Sequence, residues 1–238
     1  MAQLNVNGLV VEVARKYIKN LHLAVYPPNG RVRVAAPLRV NDEAVRLAVI
    51  SKLAWIKRQQ VKFQEQERQS AREYVGGESH YFQGNRYRLN VVCHDKAGQV
   101  VVRNKKIIDL FVRPKSNTAQ RERVMMDWYR VYLKHAIPPL ITTWEKIIGV
   151  KVEEWGVKHM KTKWGTCNSE AKRIWLNLEL AKKSHRCLEY IVVHEMVHLL
   201  ERHHNDKFLH LMNKFMPQWR LHRAELNREP LAHVTWGY

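Results

Sequence analysis

One stretch constrains this 238-residue chain more than any other. Ser184 to Arg202 contains neither Gly nor Pro, and carries His194-Glu195-Met196-Val197-His198 among the apolar residues Leu188, Ile191, Val192 and Leu199 or Leu200. The pattern predicts a buried helix, with Ser184 as its cap. Burying two imidazoles and a carboxylate is costly unless they have partners. Residues i and i+4 project from one helix face about one turn apart. His194 and His198 are therefore expected to bind one zinc ion, each at roughly 2.0–2.1 Å. Glu195 is rotated by roughly 100° from His194, so it addresses a water at the ion and not the ion itself.

A hydrolytic zinc site needs a third protein ligand and one open position. Eight of the 13 histidines lie between His185 and His233, so candidates are close by. Glu201 returns to the face of His194 but about two turns away, too far to share the ion. His204, on a continuing helix, would be rotated by roughly 240° from His198. It qualifies only if the helix ends near Arg202 and the chain turns back, which the polar run Arg202 to Asp206 suits. His203 qualifies on the same terms, and spacing alone leaves both open. His210 and His222 read as helix-surface residues, and Cys167 is left out because a fourth protein ligand would close the site.

The remainder reads as α+β. Asn7-Gly8 and Asn29-Gly30 divide Leu4–Val6 from Leu9–Val13 and Leu21–Tyr26 from Arg31–Ala35, predicting hairpins. Asn41 caps a helix expected from Asp42 to about Glu67, with Val45, Val49, Leu53 and Ile56 on its buried face and Lys57, Arg58 and Lys62 on its polar side. Strands are expected at Tyr81-Phe82, Tyr87–Val92, Gln99–Val102 and Ile107–Val112. Asn117 or Thr118 caps a second helix that Pro138-Pro139 should interrupt. Short strands follow at Val150–Trp155 and Arg173–Leu178, then helices to about Asn227. No internal repeat is visible. The expected organisation is a strand-rich basic region with one long helix over 1–116, followed by a compact helical zincin-like domain with a short sheet over 117–238.

Lys and Arg number 41 against 22 Asp and Glu, a net charge of +19. Residues 1–116 hold 21 basic and 9 acidic residues, residues 117–238 hold 20 and 13. This excess favours anionic partners: nucleic acid, nucleotides or acidic protein surfaces. No apolar run is long enough to span a membrane, and Met1 to Val13 lacks the layout of a signal peptide. Three widely spaced cysteines, Cys93, Cys167 and Cys187, suit a reducing compartment, so a cytoplasmic protein is expected.

Four segments together resemble the YgjP-like metallopeptidase family, which is more distantly similar to SprT-like proteases. They are Met160-Lys161-Thr162-Lys163-Trp164-Gly165-Thr166-Cys167, Ile174-Trp175-Leu176-Asn177, His194–His198 and His204-Asn205-Asp206-Lys207-Phe208. Before them, Trp55-Ile56 and Gly77-Glu78 fit the family more loosely. Thr166 stands where the family commonly has Ser, which keeps a hydroxyl. The resemblance implies that His204, the histidine before a short polar stretch and a Phe, is the third zinc ligand. It also implies that Trp164 lies beside the site and that Arg173–Leu178 is a strand lining the cleft. Trp164 and Asn177 are accordingly candidates for substrate contact, although Trp164 also reads as a core aromatic and Gly165 as a turn.

The expected activity is that of a zinc peptidase in which Glu195 is the general base. Two alternatives keep the metal: a nucleotide pyrophosphatase, which the charge suits but which lacks a phosphate loop, and a nucleic-acid-associated protein with structural zinc, which would not need Glu195.

Overall fold

The computed structural model describes residues 2–26, 30–65, 72–160 and 163–228, without the side chains of 62–65 and 228. The chain divides into two compact units, within Met1–Ser70 and within Ala71–Glu229. The expected division after residue 116 falls inside the second unit, because strands 79–112 pack with the long helix that follows them.

The first unit is a four-stranded sheet with two helices. Strands β1 (Ala2–Val6), β2 (Leu9–Lys16), β3 (His22–Tyr26) and β4 (Arg31–Pro37) lie in the order β1-β2-β4-β3. β2 and β4 are parallel and the outer pairs antiparallel. Asn7 and Gly8 both take positive φ, as the predicted hairpin turn requires. Asn29 lies outside the described residues. Valines at alternate positions of β2 and β4 (Val11, Val13, Val32, Val34) face one side, where Val45, Val49 and Ile56 close the core. The expected single helix is two, α1 (Asp42–Ser51) and α2 (Leu53–Glu65), and Glu67 lies outside the described residues. They are separated at Lys52, whose N–H reaches back to Val49 O at 3.1 Å in a tightened turn. Asn41 caps α1 as expected. Lys57 and Arg58 are exposed; the side chain of Lys62 is not described.

The second unit begins with a sheet of the same topology. β5 (Ser79–Phe82), β6 (Asn85–Cys93), β7 (Gln99–Val102) and β8 (Ile107–Val112) lie in the order β5-β6-β8-β7, again with the central pair parallel. The chain thus repeats one sheet topology that no sequence repeat announces. Helix α3 (Thr118–Ile148) follows, started by a capping box between Asn117 and Gln120. It continues through Pro138-Pro139, contrary to expectation. The two missing N–H groups leave the carbonyls of Lys134 and His135 without helical partners, but both residues are exposed to water. Buried Ile137, Leu140 and Ile141 hold the helix on either side of the pair.

A second sheet in this unit is three-stranded, in the order β10-β11-β9. β9 is Glu154–Lys158, later than the expected Val150–Trp155. Residues before it turn the chain: Val152 N–H donates to the Glu145 carboxylate and Glu153 N–H to Lys172 O. β10 (Gly165–Asn168) is antiparallel to β11 (Arg173–Asn177), which is parallel to β9. A 3₁₀ turn (Leu178–Lys182) leads into α4 (His185–Val197), followed by α5 (Asp206–Phe215) and α6 (Trp219–Arg228). Six helices and three small sheets among the described residues make the fold α+β. No helix among them is long and apolar enough to cross a membrane.

Two contacts fix where α4 begins. Gln83 and Gly84, in the β5–β6 turn, donate their N–H groups to Ala181 O and Lys182 O. Gly84 has φ +76° and a Cβ there would stand 3.2 Å from the Ser184 backbone, so the turn needs glycine on both counts. Ser184 then caps α4, accepting from Cys187 N–H. Farther along, Trp144 of α3 donates its indole N–H to Glu189 of α4.

Candidate metal centre

Helix α4 carries its polar residues into the interior. His194 is 5 % exposed and Glu195 2 %. The helix ends at Val197, with His198 as its C-cap, earlier than Arg202. The chain then reverses, and Asn205 caps α5 by accepting from Phe208 N–H at 3.0 Å. This reversal returns His204 to α4. His204 Nε2 lies 3.0 Å from His194 Nε2 and 3.1 Å from His198 Nε2. His203 points elsewhere: it is exposed, and its N–H donates to the Glu201 carboxylate. Among the described residues, His194, His198 and His204 form the only cluster of three potential metal-ligating side chains.

The chemistry of this cluster fits a metal ion. Ligands at roughly 2.0–2.1 Å from a tetrahedral ion stand about 3.3 Å apart, close to the spacing found. His198 Nδ1 lies 3.0 Å from Glu201 O. A carbonyl only accepts, so Nδ1 carries the hydrogen and Nε2 keeps its lone pair. Burial, and then the two neighbouring imidazoles, push the His194 pKa down to about 2. Burial also lowers those of His198 and His204. All three are thus held in the neutral form that binds metal.

Phe208, 2 % exposed, sits under all three rings. Its centroid is 4.9 Å from that of His194, 4.7 Å from His198 and 4.8 Å from His204. One aromatic ring therefore packs against all three imidazoles, at interplanar angles of 67°, 31° and 89°. Tyr190, one turn before His194, adds an edge contact at 5.8 Å and stacks on Trp219 of α6. In the sequence Phe208 is only the Phe that follows His204 and a short polar stretch; the fold brings its ring to the centre. Its signal was the four-residue step from His204, which spans the α5 cap.

A cleft of about 590 Å³ opens over the cluster, lined by β10 residues Gly165 to Asn168, by Glu195, His198 and His204, and by Lys163, Ser169, Glu170 and Arg202. β10 is an edge strand, so its outer backbone groups face away from β11. Gly165 begins this strand and is not a turn. Cys167 also lines the cleft; burial and then the Glu195 carboxylate push its thiol up to about 12. Its sulfur is not part of the three-histidine cluster.

The two residues expected to touch substrate do not line this cleft. Trp164 is 1 % exposed, a core aromatic with Lys183 Nζ 5.8 Å from its ring. Asn177 is fully buried. Its Nδ2 donates to Met160 O at 3.0 Å and Lys163 O at 2.6 Å, and its Oδ1 accepts from Glu179 N–H. Its backbone N–H donates to Trp164 O at 2.8 Å. Asn177 ties down the chain entering β10; Lys161 and Thr162 of that segment lie outside the described residues.

A family model described as YgjP-like, metallopeptidase domain, matches residues 19–229. The chain belongs to the YgjP-like metallopeptidase family. Membership in this metallopeptidase family implies a metal ion and a peptide or protein substrate, and the His194–His198–His204 cluster is able to hold such an ion. No curated protein matches the chain. Among solved structures, the metallopeptidase zymogen abylysin of Pyrococcus abyssi is similar at 18 % identity, over 39 % of this chain and 97 % of that one, with a TM-score of 0.34. That likeness is too slight to carry an argument about the YgjP-like chain.

Proposed function

We propose that this YgjP-like chain is a zinc peptidase in which His194, His198 and His204 hold the ion and Glu195 is the general base. The observation that carries this reading is the convergence of three neutral imidazoles, 3.0 and 3.1 Å apart at their Nε2 atoms, beside a buried carboxylate at the wall of a cleft. Zinc, when bound, lowers the pKa of water to about 7 and polarises a carbonyl as a Lewis acid.

The chain's own residues supply the rest. Edge strand β10 offers backbone N–H and C=O groups to a peptide lying extended along it. Glu195 accepts a proton from the attacking water while that water's oxygen bonds to the carbonyl carbon. The same carboxyl passes the proton to the amine nitrogen as the C–N bond breaks. The Glu201 carbonyl keeps the His198 proton on Nδ1, and the buried Phe208 packs against all three imidazole rings.

The nucleotide pyrophosphatase and structural-zinc readings have only the charge behind them. Among the described residues no carboxylate-bound metal pair accompanies the three imidazoles. A structural site has no use for Glu195. The three cysteines are free, which fits the cytoplasm as the proposed location. Glu195→Gln tests the reading: zinc content should be unchanged and hydrolysis of a peptide library should fall by about 10²–10⁴-fold. Wild-type turnover in the zinc-loaded variant would refute it.

A further inference from the structure

The cleft is electrically lopsided. Lys163 and Arg202 both line it, both are exposed, and neither forms an ion pair among the described residues. Each is attached to a fixed point of the site. The Lys163 carbonyl is held by Asn177 at 2.6 Å, two residues before the Gly165 that backs Glu195. Arg202 lies between Glu201 and His204. The Glu201 carbonyl binds His198, and its carboxylate is taken up by His203 N–H at 3.2 Å and Lys207 Nζ at 3.4 Å. The backbone from which each cation projects is therefore held beside the site.

The acidic residues do not cancel them there. Glu195 is buried, and its carboxylate is committed to the reacting water in the reading above. Glu170 lies beyond the far end of β10, and the strand from Gly165 to Asn168 spans about 10 Å. The cleft thus presents to a substrate two exposed cations that form no ion pair among the described residues, and the overall charge of +19 draws anions toward the molecule.

We propose that the cleft takes peptides through a carboxylate held close to the scissile bond, and that Lys163 and Arg202 read it. This rests on the peptidase reading. The carboxylate has two possible sources, an Asp or Glu side chain or the free C-terminus of the peptide. The first makes the protein an endopeptidase selective for acidic sequences, the second a carboxypeptidase.

Binding separates this from turnover. The full chain carrying Glu195→Gln is titrated with three fluorescent peptides of one length: neutral and amidated, amidated with a central Glu, and neutral with a free C-terminus. One or both carboxylate peptides should bind about tenfold or more tightly than the neutral one, and the arm that tightens names the source. The advantage should shrink with salt. It should vanish in Lys163→Gln/Arg202→Gln and reverse in Lys163→Glu/Arg202→Glu, where the neutral amidated peptide should bind more tightly than either carboxylate peptide. Lys134→Glu, an exposed α3 position away from the cleft lining, should keep the preference. Equal binding of all three peptides, or a preference that survives Lys163→Glu/Arg202→Glu, would overturn the proposal. A carboxylate preference together with no cleavage of any peptide by the zinc-loaded wild type would uphold the carboxylate site and refute the peptidase reading instead.

Discussion

Gly165 and Glu195 occupy space that leaves no room for a methyl group between them. A Cβ built on Gly165 would stand 2.6 Å from Glu195 Oε1 and 2.7 Å from its Cγ. Gly165 does not have positive φ, so its backbone suits any residue and the requirement is purely one of clearance. The first residue of the cleft strand and the proposed general base are thus fitted against each other.

Gly165→Ala should therefore displace the Glu195 carboxylate while leaving the three imidazoles in place. Zinc content should stay at the wild-type level and peptide turnover should drop by about 10²-fold or more. Kinetics on the zinc-loaded variant check this, and undiminished kcat/KM would show that the Glu195 position is not critical.

Asn177 serves the site from behind. Asn177→Ala removes the donors to the partly buried Met160 O and Lys163 O, and each lost hydrogen bond costs about 0.5–1.5 kcal/mol. Urea unfolding should show a loss of about 1–3 kcal/mol with zinc stoichiometry unchanged. A loss below about 0.5 kcal/mol would mean that water replaces the side chain at no cost.

Acid stability has a separate source in the second unit. His80 is 4 % exposed, between the Tyr74 ring and Glu78, with Arg72 nearby. Burial, and then the Arg72 charge, lower its pKa from 6.5 to about 4, against the opposing pull of Glu78. Because the folded value lies below the unfolded one, the unfolded chain binds more protons in this window. Stability is full above about pH 6.5 and is lost as pH falls toward 4, by an amount on the order of 3 kcal/mol. Unfolding midpoints of wild type and His80→Gln across that range should diverge, with the steeper pH slope in wild type. Parallel curves would contradict the assignment.

Much of this was legible in the sequence, wherever a local signal acts alone. Asn41, Asn117 and Ser184 cap the helices they were expected to cap, because a side-chain acceptor beside free N–H groups needs no tertiary help. The His194–His198 spacing was legible for the same reason. Tertiary packing governed the rest. Pro138-Pro139 fails to break α3 because buried neighbours hold both halves together. Gly165 read as a turn because the demand for a glycine comes from Glu195, thirty residues on in the chain. Asn177 read as a substrate contact because no local pattern reveals that its partners are the carbonyls of Met160 and Lys163. The strands 79–112 read as part of the first region because their composition resembles it, while their packing partner is α3.

The central claim is that one zinc ion is held by His194, His198 and His204. Metal analysis of the purified full chain and its single variants tests it most directly. We predict about one zinc per chain in the wild type, the same in His203→Ala, and a loss of most of the metal in His204→Ala. Full zinc in His204→Ala, or its loss in His203→Ala, would contradict the account.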